Sequence, residues 1–258
     1  MARVLLAHGL LGFGSVLPLQ PINYFNGIAA LYESLGHEVY CPSVGALGSL
    51  EARAAALERK ILERWPAGAE PIFMLGHSMG GLDCRRVLVA NAALAGRTRR
   101  LITIATPHFG SPVADAVLNP PPLGGVSPLK WLSDSFTKDA GALADLKSRE
   151  ERQDGNVEGV NYLCVGCDAG DVNPQSPVFV AAAAIGQFGQ VRNDGVVSLP
   201  SASNTNRADD LFAVWPVDHG GAVGWPSGGV GYELAKAAVR PPKAHLARYR
   251  DLLPRLLA

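Results

Sequence analysis

The sequence predicts an α/β architecture, a mostly parallel sheet with helices packed on both of its faces. Three observations lead there. Short apolar runs alternate with segments of helical period over the first two-thirds of the chain, the pattern of a parallel sheet buried on both sides. Hydrophobic residues make up 48% of the 258 and charged residues 18%, enough to bury a large core and too apolar for a disordered chain. Glycine, at 29 residues, exceeds the usual ~7%, which suits tight turns and close strand–helix contacts.

Arg3 to His8 is apolar almost throughout and reads as a buried strand. Phe25, Ile28, Tyr32 and Leu35 recur at helical spacing, and Gly36 stands where that helix should stop. Glu38 to Cys41 is a second strand. Leu50, Ala54, Leu57, Ile61 and Trp65 mark one face of a long helix, with Ser49 as its N-cap. Pro71 to Leu75 is a third strand, Met79 to Asn91 a helix and Arg100 to Ala105 a fourth strand. After Thr106 the pattern loosens. Strands resume at Val160 to Val165 and around Leu211 to Val217, and a last helix starts near Lys243. We find no linker and no internal repeat, so the expectation is one domain over residues 1–258.

Charge excludes one class of function. Lys and Arg total 23 and Asp and Glu total 23, with no basic stripe, so nucleic-acid binding is not expected. The apolar runs fall far short of the ~18 residues of a spanning helix, so no transmembrane segment is expected. Met1-Ala2-Arg3 leads straight into a strand rather than a signal peptide. The expected location is therefore cytoplasmic, or secreted if a leader has already been removed. Cys164 and Cys167 form a C-x-x-C with no second pair to complete a zinc site. Reduced thiols near a strand end are expected. Oligomeric state stays open.

Gly76-His77-Ser78-Met79-Gly80 is a G-x-S-x-G. As a bare pattern it would occur by chance in about one chain in five of this composition. Its context is the stronger signal. Ile72-Phe73-Met74-Leu75 leads directly into it and a helical period directly follows, the strand–turn–helix setting of a nucleophilic serine. Gly76 and Gly80 relieve crowding at the sharp turn, and Gly81 lets helix and sheet approach. The hydroxyl then stands at a helix N-terminus, which favours developing negative charge.

Acyl transfer at a serine also needs two N–H donors for the oxyanion. Met79 follows the serine. His8-Gly9-Leu10-Leu11-Gly12 follows the first strand, and Leu10 N–H is the second expected donor. In this arrangement the acid and then the histidine follow the serine along the chain. Of six histidines, His37 precedes the serine and His108 leaves no room for an acid before it. His245 falls in a predicted surface helix, where a solvated ring is expected. His219, after an apolar strand and beside a glycine-rich turn, is the expected base. Asp168, Asp171, Asp194, Asp209 and Asp210 are acid candidates. Asp194 lies in the tight turn Asn193-Asp194-Gly195, which can fix a carboxylate against an imidazole. A plain turn aspartate is the equal alternative on local sequence. Asp218 reads as a turn or strand-end charge.

At these residues the chain resembles the bacterial true lipases of the Pseudomonas–Burkholderia type, within the α/β-hydrolases. The matching pieces are Leu5 to Phe13, Tyr24-Phe25 with Gly27-Ile28, Gly76 to Gly81, Thr106-Pro107-His108 with Gly110-Ser111, and Asn193 to Val197. The resemblance implies Ser78 as nucleophile, Asp194 as acid and His219 as base, with oxyanion donors at Leu10 and Met79. It also implies a helical lid and long-chain acyl esters as substrates. One departure matters. Two residues after the catalytic histidine the family usually carries an aspartate that binds a structural calcium, and here that position is Gly221. No cofactor is expected, and calcium is not favoured.

The expected function is serine-dependent carboxylic ester hydrolysis, of lipase or carboxylesterase type, at a lipid–water interface. Another acyl hydrolase (phospholipase, thioesterase or polyester hydrolase) is the nearest alternative, and a non-catalytic relative binding apolar ligands is the remote one. Leu129, Leu132, Phe136, Ala140, Leu143 and Leu146 fall at spacings of three and four, one face of an amphipathic helix. With the Pro120-Pro121-Pro122 loop they make residues 112–152 the expected lid insertion.

Overall fold

A computed structural model describes residues 1–10, 24–45, 48–66, 68, 70–119, 141–170, 177–225 and 244–258. Six parallel strands form one sheet in the order β2-β1-β3-β4-β5-β6. They are β1 Arg3–Ala7, β2 Glu38–Tyr40, β3 Ile72–His77, β4 Thr98–Ile104, β5 Asn161–Cys167 and β6 Ala213–Trp215. The expected α/β sheet is present, with strand ends shifted by one or two residues.

Successive strand residues point to opposite faces, and both faces are buried. Val4, Leu6, Phe73, Leu75, Ile102 and Ile104 face α1 (Ile28–Ser34) and α9 (Ala244–Leu257). Leu5, Ala7, Met74 and Leu101 face α2 (Leu50–Arg64) and α3 (Met79–Ala90). Ser49 caps α2 by accepting from Ala52 N, and Gly36, at φ +86°, ends the α1 turn in the left-handed region. Periodicity did not reveal α4 (Ala92–Arg97), α5 (Pro112–Leu118), α7 (Pro177–Gly186) or α8 (Leu199–Ala202), whereas α6 (Gly141–Asp145) falls within the amphipathic stretch that ends at Leu146.

His245 corrects one expectation. It is buried rather than solvated, because α9 packs against the start of α1, and its Nε2 lies 2.8 Å from the Asn26 carbonyl oxygen. Of the expected lid, residues 120–140, including Leu129, Leu132, Phe136 and Ala140, lie outside the described residues. Its end is packed: Leu143 and Leu146 share a cluster with Leu50, Met79 and Leu82, and Asp145 accepts a hydrogen bond from Leu50 N at 2.7 Å.

Candidate active site

Ser78 joins β3 to α3 with φ 55° and ψ −133°, a strained combination for a side chain larger than glycine. Its N–H donates to Ile104 O of the neighbouring strand at 2.9 Å, fixing the elbow. The flanking glycines are sterically required: a Cβ on Gly76 would lie 2.5 Å from Gly81 Cα, and one on Gly80 would strike the Ala7 carbonyl.

Beyond β6 the chain turns back over the end of β3 and delivers His219. Its Nε2 lies 3.0 Å from Ser78 Oγ, and its Nδ1 lies 2.7 Å from Asp194 Oδ2. Asp194 is fully buried. Its Oδ1 accepts from Val196 N at 2.9 Å and Val197 N at 2.7 Å, while its backbone O accepts from His219 N at 2.9 Å. The carboxylate is thus anchored by its own turn and aimed by its second oxygen. Ser78 and His219 are both buried, each 8% exposed. Phe179 of α7 packs edge-on against the His219 ring at 5.8 Å.

The other acid candidates stand elsewhere. Asp168 pairs with Arg192 at 2.6 Å, Asp209 pairs with Arg207 at 2.6 Å, and Asp210 accepts from Thr205 Oγ1. Asp171 lies outside the described residues. Asp218 Oδ1 closes the histidine turn by accepting from Gly221 N at 2.6 Å.

The loop after β1 runs against the serine. A Cβ on Gly9 would lie 2.6 Å from Ser78 Cβ and 3.0 Å from its Oγ. Val44 N donates to His8 Nε2 at 3.0 Å, so the proton of the neutral ring sits on Nδ1, which lies 2.8 Å from Gly9 O. Burial holds His8 neutral by pushing its pKa down to about 4. In a planar trans peptide C=O and N–H point opposite ways, so pinning Gly9 O turns Leu10 N–H the other way. Arg53, fully buried, reinforces the loop by donating to His8 O at 2.8 Å and Gly45 O at 2.8 Å. It pairs with buried Asp83 of α3 at 2.6 Å. Sequence reading missed this pair, although Arg53 on the apolar stripe of α2 was a signal.

Two further expectations meet the structure here. Cys164 and Cys167, three residues apart on β5, point to opposite faces, and both are free, buried thiols. Burial raises the pKa of each, with Thr103 and Arg85 pulling Cys164 partly back. At the histidine turn Gly221 stands where the resemblance implies a calcium-binding aspartate. A Cβ on Gly221 would meet Asp218 Oδ1 at 3.0 Å, and among the described residues no group of three or more His, Cys, Asp or Glu converges.

Residues 53–118 match the model of the PGAP1-like alpha/beta domain. The chain is 34% identical over 114 residues to a triacylglycerol lipase of Pseudomonas fragi, covering 43% of this chain and 36% of that protein. It is 31% identical over 120 residues to a triacylglycerol lipase of Burkholderia plantarii, covering 44% of this chain and 32% of that one. It therefore spans about a third of the length of these curated relatives. Staphylococcus hyicus lipase superposes with a TM-score of 0.68 at 17% identity, over 99% of this chain and 95% of that one. Sheet order, serine elbow and these likenesses place the chain in the α/β-hydrolase fold, with triacylglycerol lipases of the Pseudomonas–Burkholderia type as the relatives it is similar to.

Proposed function

We propose that the protein is a serine-dependent carboxylic ester hydrolase of lipase type, acting on acylglycerols and related esters. One observation carries the reading: Ser78 Oγ, the His219 ring and the Asp194 carboxylate form a continuous hydrogen-bonded line of 3.0 and 2.7 Å, starting at a strained elbow. Ser78 Oγ attacks the acyl carbon and its proton passes to His219 Nε2. Asp194 holds Nδ1–H and favours the imidazolium that forms. Leu10 N–H and Met79 N–H receive the oxyanion. Collapse expels the alcohol, which takes the proton from Nε2. Water then attacks the acyl-enzyme, gives Nε2 its proton, and releases the carboxylic acid and the free serine.

The lipid character of the substrate rests on the names of the relatives, triacylglycerol lipases. No described helix is long and apolar enough to cross a membrane. We also propose that hydrolysis needs no cation, because hydrogen bonds within the protein close the histidine turn. A fluorophosphonate probe should label the wild type and not Ser78→Ala. An acyl-length series of p-nitrophenyl esters beside emulsified tributyrin separates lipase from other acyl hydrolases. Labelling that persists in Ser78→Ala, or a wild type inert to probe and esters alike, overturns the reading.

A further inference from the structure

Two buried side chains beside Ser78 have no step in the chemistry above. Tyr24 Oη accepts from Gly9 N at 2.9 Å and lies 2.6 Å from His77 Nδ1. On the other side of the His77 ring, Nε2 lies 3.1 Å from the His219 carbonyl oxygen. A carbonyl oxygen can only accept, so Nε2 carries a proton. His77 is 1% exposed, and burial together with the neighbouring His219 holds its pKa well below the ordinary histidine value. The ring is neutral, its Nδ1 is bare, and the Tyr24 hydroxyl donates to it. Every proton is thereby assigned: Gly9 N–H to Tyr24 Oη, Tyr24 O–H to His77 Nδ1, and His77 Nε2–H to the His219 carbonyl.

We propose that Tyr24 and His77 are positioning residues for the serine site, tying the oxyanion loop, the nucleophile elbow and the backbone of His219 into one uncharged line. The inference rests on the ester-hydrolase reading. Its physical content is twofold. First, Gly9 is held at its N–H by Tyr24 and at its O by His8, so the loop has little freedom to rise away from Ser78. Second, the His77 and His219 rings are 4.8 Å apart between centroids. A cationic His77 would oppose the proton that His219 must accept in the first step. Protonating His77 Nδ1 would aim two N–H donors at the Tyr24 oxygen and turn the phenol hydrogen out of the line. The hydroxyl therefore selects the neutral ring as well as its orientation.

Two experiments test it. Nitrogen-15 spectra of histidine-labelled wild type should show His77 protonated at Nε2, bare at Nδ1 and unchanged from pH 5 to 9. A Nδ1-protonated ring, or titration within that range, overturns the proposal without any variant having to fold. Second, Tyr24→Phe and His77→Gln should each lower kcat on a soluble p-nitrophenyl ester by about 10- to 100-fold with KM within about twofold, as small misplacements of catalytic groups do. The double variant should lose little more than either single one, because each breaks the same line. Single effects within twofold, losses confined to KM, or losses that multiply in the double variant overturn it. Fluorophosphonate labelling separates the levels. An unlabelled wild type removes the ester-hydrolase reading and this one together, whereas a labelled wild type with Tyr24→Phe reacting at the same rate removes this one alone.

Discussion

Acid should destabilise this protein well before its solvent-exposed carboxylates titrate. Burial lowers the pKa of His8 to about 4 and holds His77 and His108 well below the ordinary value, while the unfolded chain takes up these protons near 6.5. Stability contributed by the three neutral rings is thus fully present above pH 6.5 and is lost as the pH falls below it, because only the unfolded state binds the protons. The unfolded-state value alone caps the loss between pH 7 and 5 at about 2 kcal/mol per ring, or about 6 kcal/mol for the three. Asp83 opposes them. Burial raises its pKa to about 6 against the pull of Arg53, so the native state takes up one proton earlier than the unfolded chain and recovers about 1 kcal/mol over the same interval. The net loss is thus at most about 5 kcal/mol, a large share of a domain's ~5–15. Urea denaturation at pH 7, 6 and 5 should show it as a falling midpoint with constant slope. Replacing one ring, His108→Asn, should flatten the dependence by about one proton, or ~1.4 kcal/mol per pH unit. A midpoint that is level or rises from pH 7 to 5 would refute the assignment of these rings as neutral and proton-resisting.

Asp194→Asn should lower kcat by about 10³–10⁴, by leaving His219 in the wrong tautomer, whereas Asp168→Asn, which breaks a pair with Arg192, should change it by no more than a few-fold; steady-state kinetics that reverse the order would move the acid role. Gly9→Ala places a methyl 2.6 Å from Ser78 Cβ and 2.7 Å from Tyr24 Oη, and probe labelling should slow by about 100-fold or more. Arg53→Leu leaves Asp83 buried without its guanidinium and should cost about 3–5 kcal/mol in urea, with Arg53→Leu/Asp83→Leu recovering most of it. Adding EDTA should leave the melting temperature unchanged, since the histidine turn is closed by Gly221 N–H donating to Asp218 Oδ1 at 2.6 Å; a fall of several degrees reversed by calcium would contradict this.

The legible parts of the sequence were those in which a local backbone demand coincides with a residue choice. Gly76 and Gly80 flank Ser78 because backbone crowds both positions, and a strand and a helix of clear period enclose them. Helices without a polar–apolar period escaped: Pro177–Gly186 contains no charged residue, so it offers no face to read, and Ala92–Arg97 is too short at six residues. Long-range partners escaped for a different reason. Arg53 finds Asp83 thirty residues away, Tyr24 meets His77 across fifty-three, and His245 reaches Asn26 across two hundred and nineteen; no spacing rule connects such pairs. Asp194 lies between these cases. On local sequence a turn aspartate and a partner for histidine look like competing readings, yet a carboxylate has two oxygens. Oδ1 is taken by the turn, through Val196 N and Val197 N, and Oδ2 is left for His219 Nδ1. The turn that makes the residue look ordinary is what immobilises it, so the two readings describe the two ends of one group.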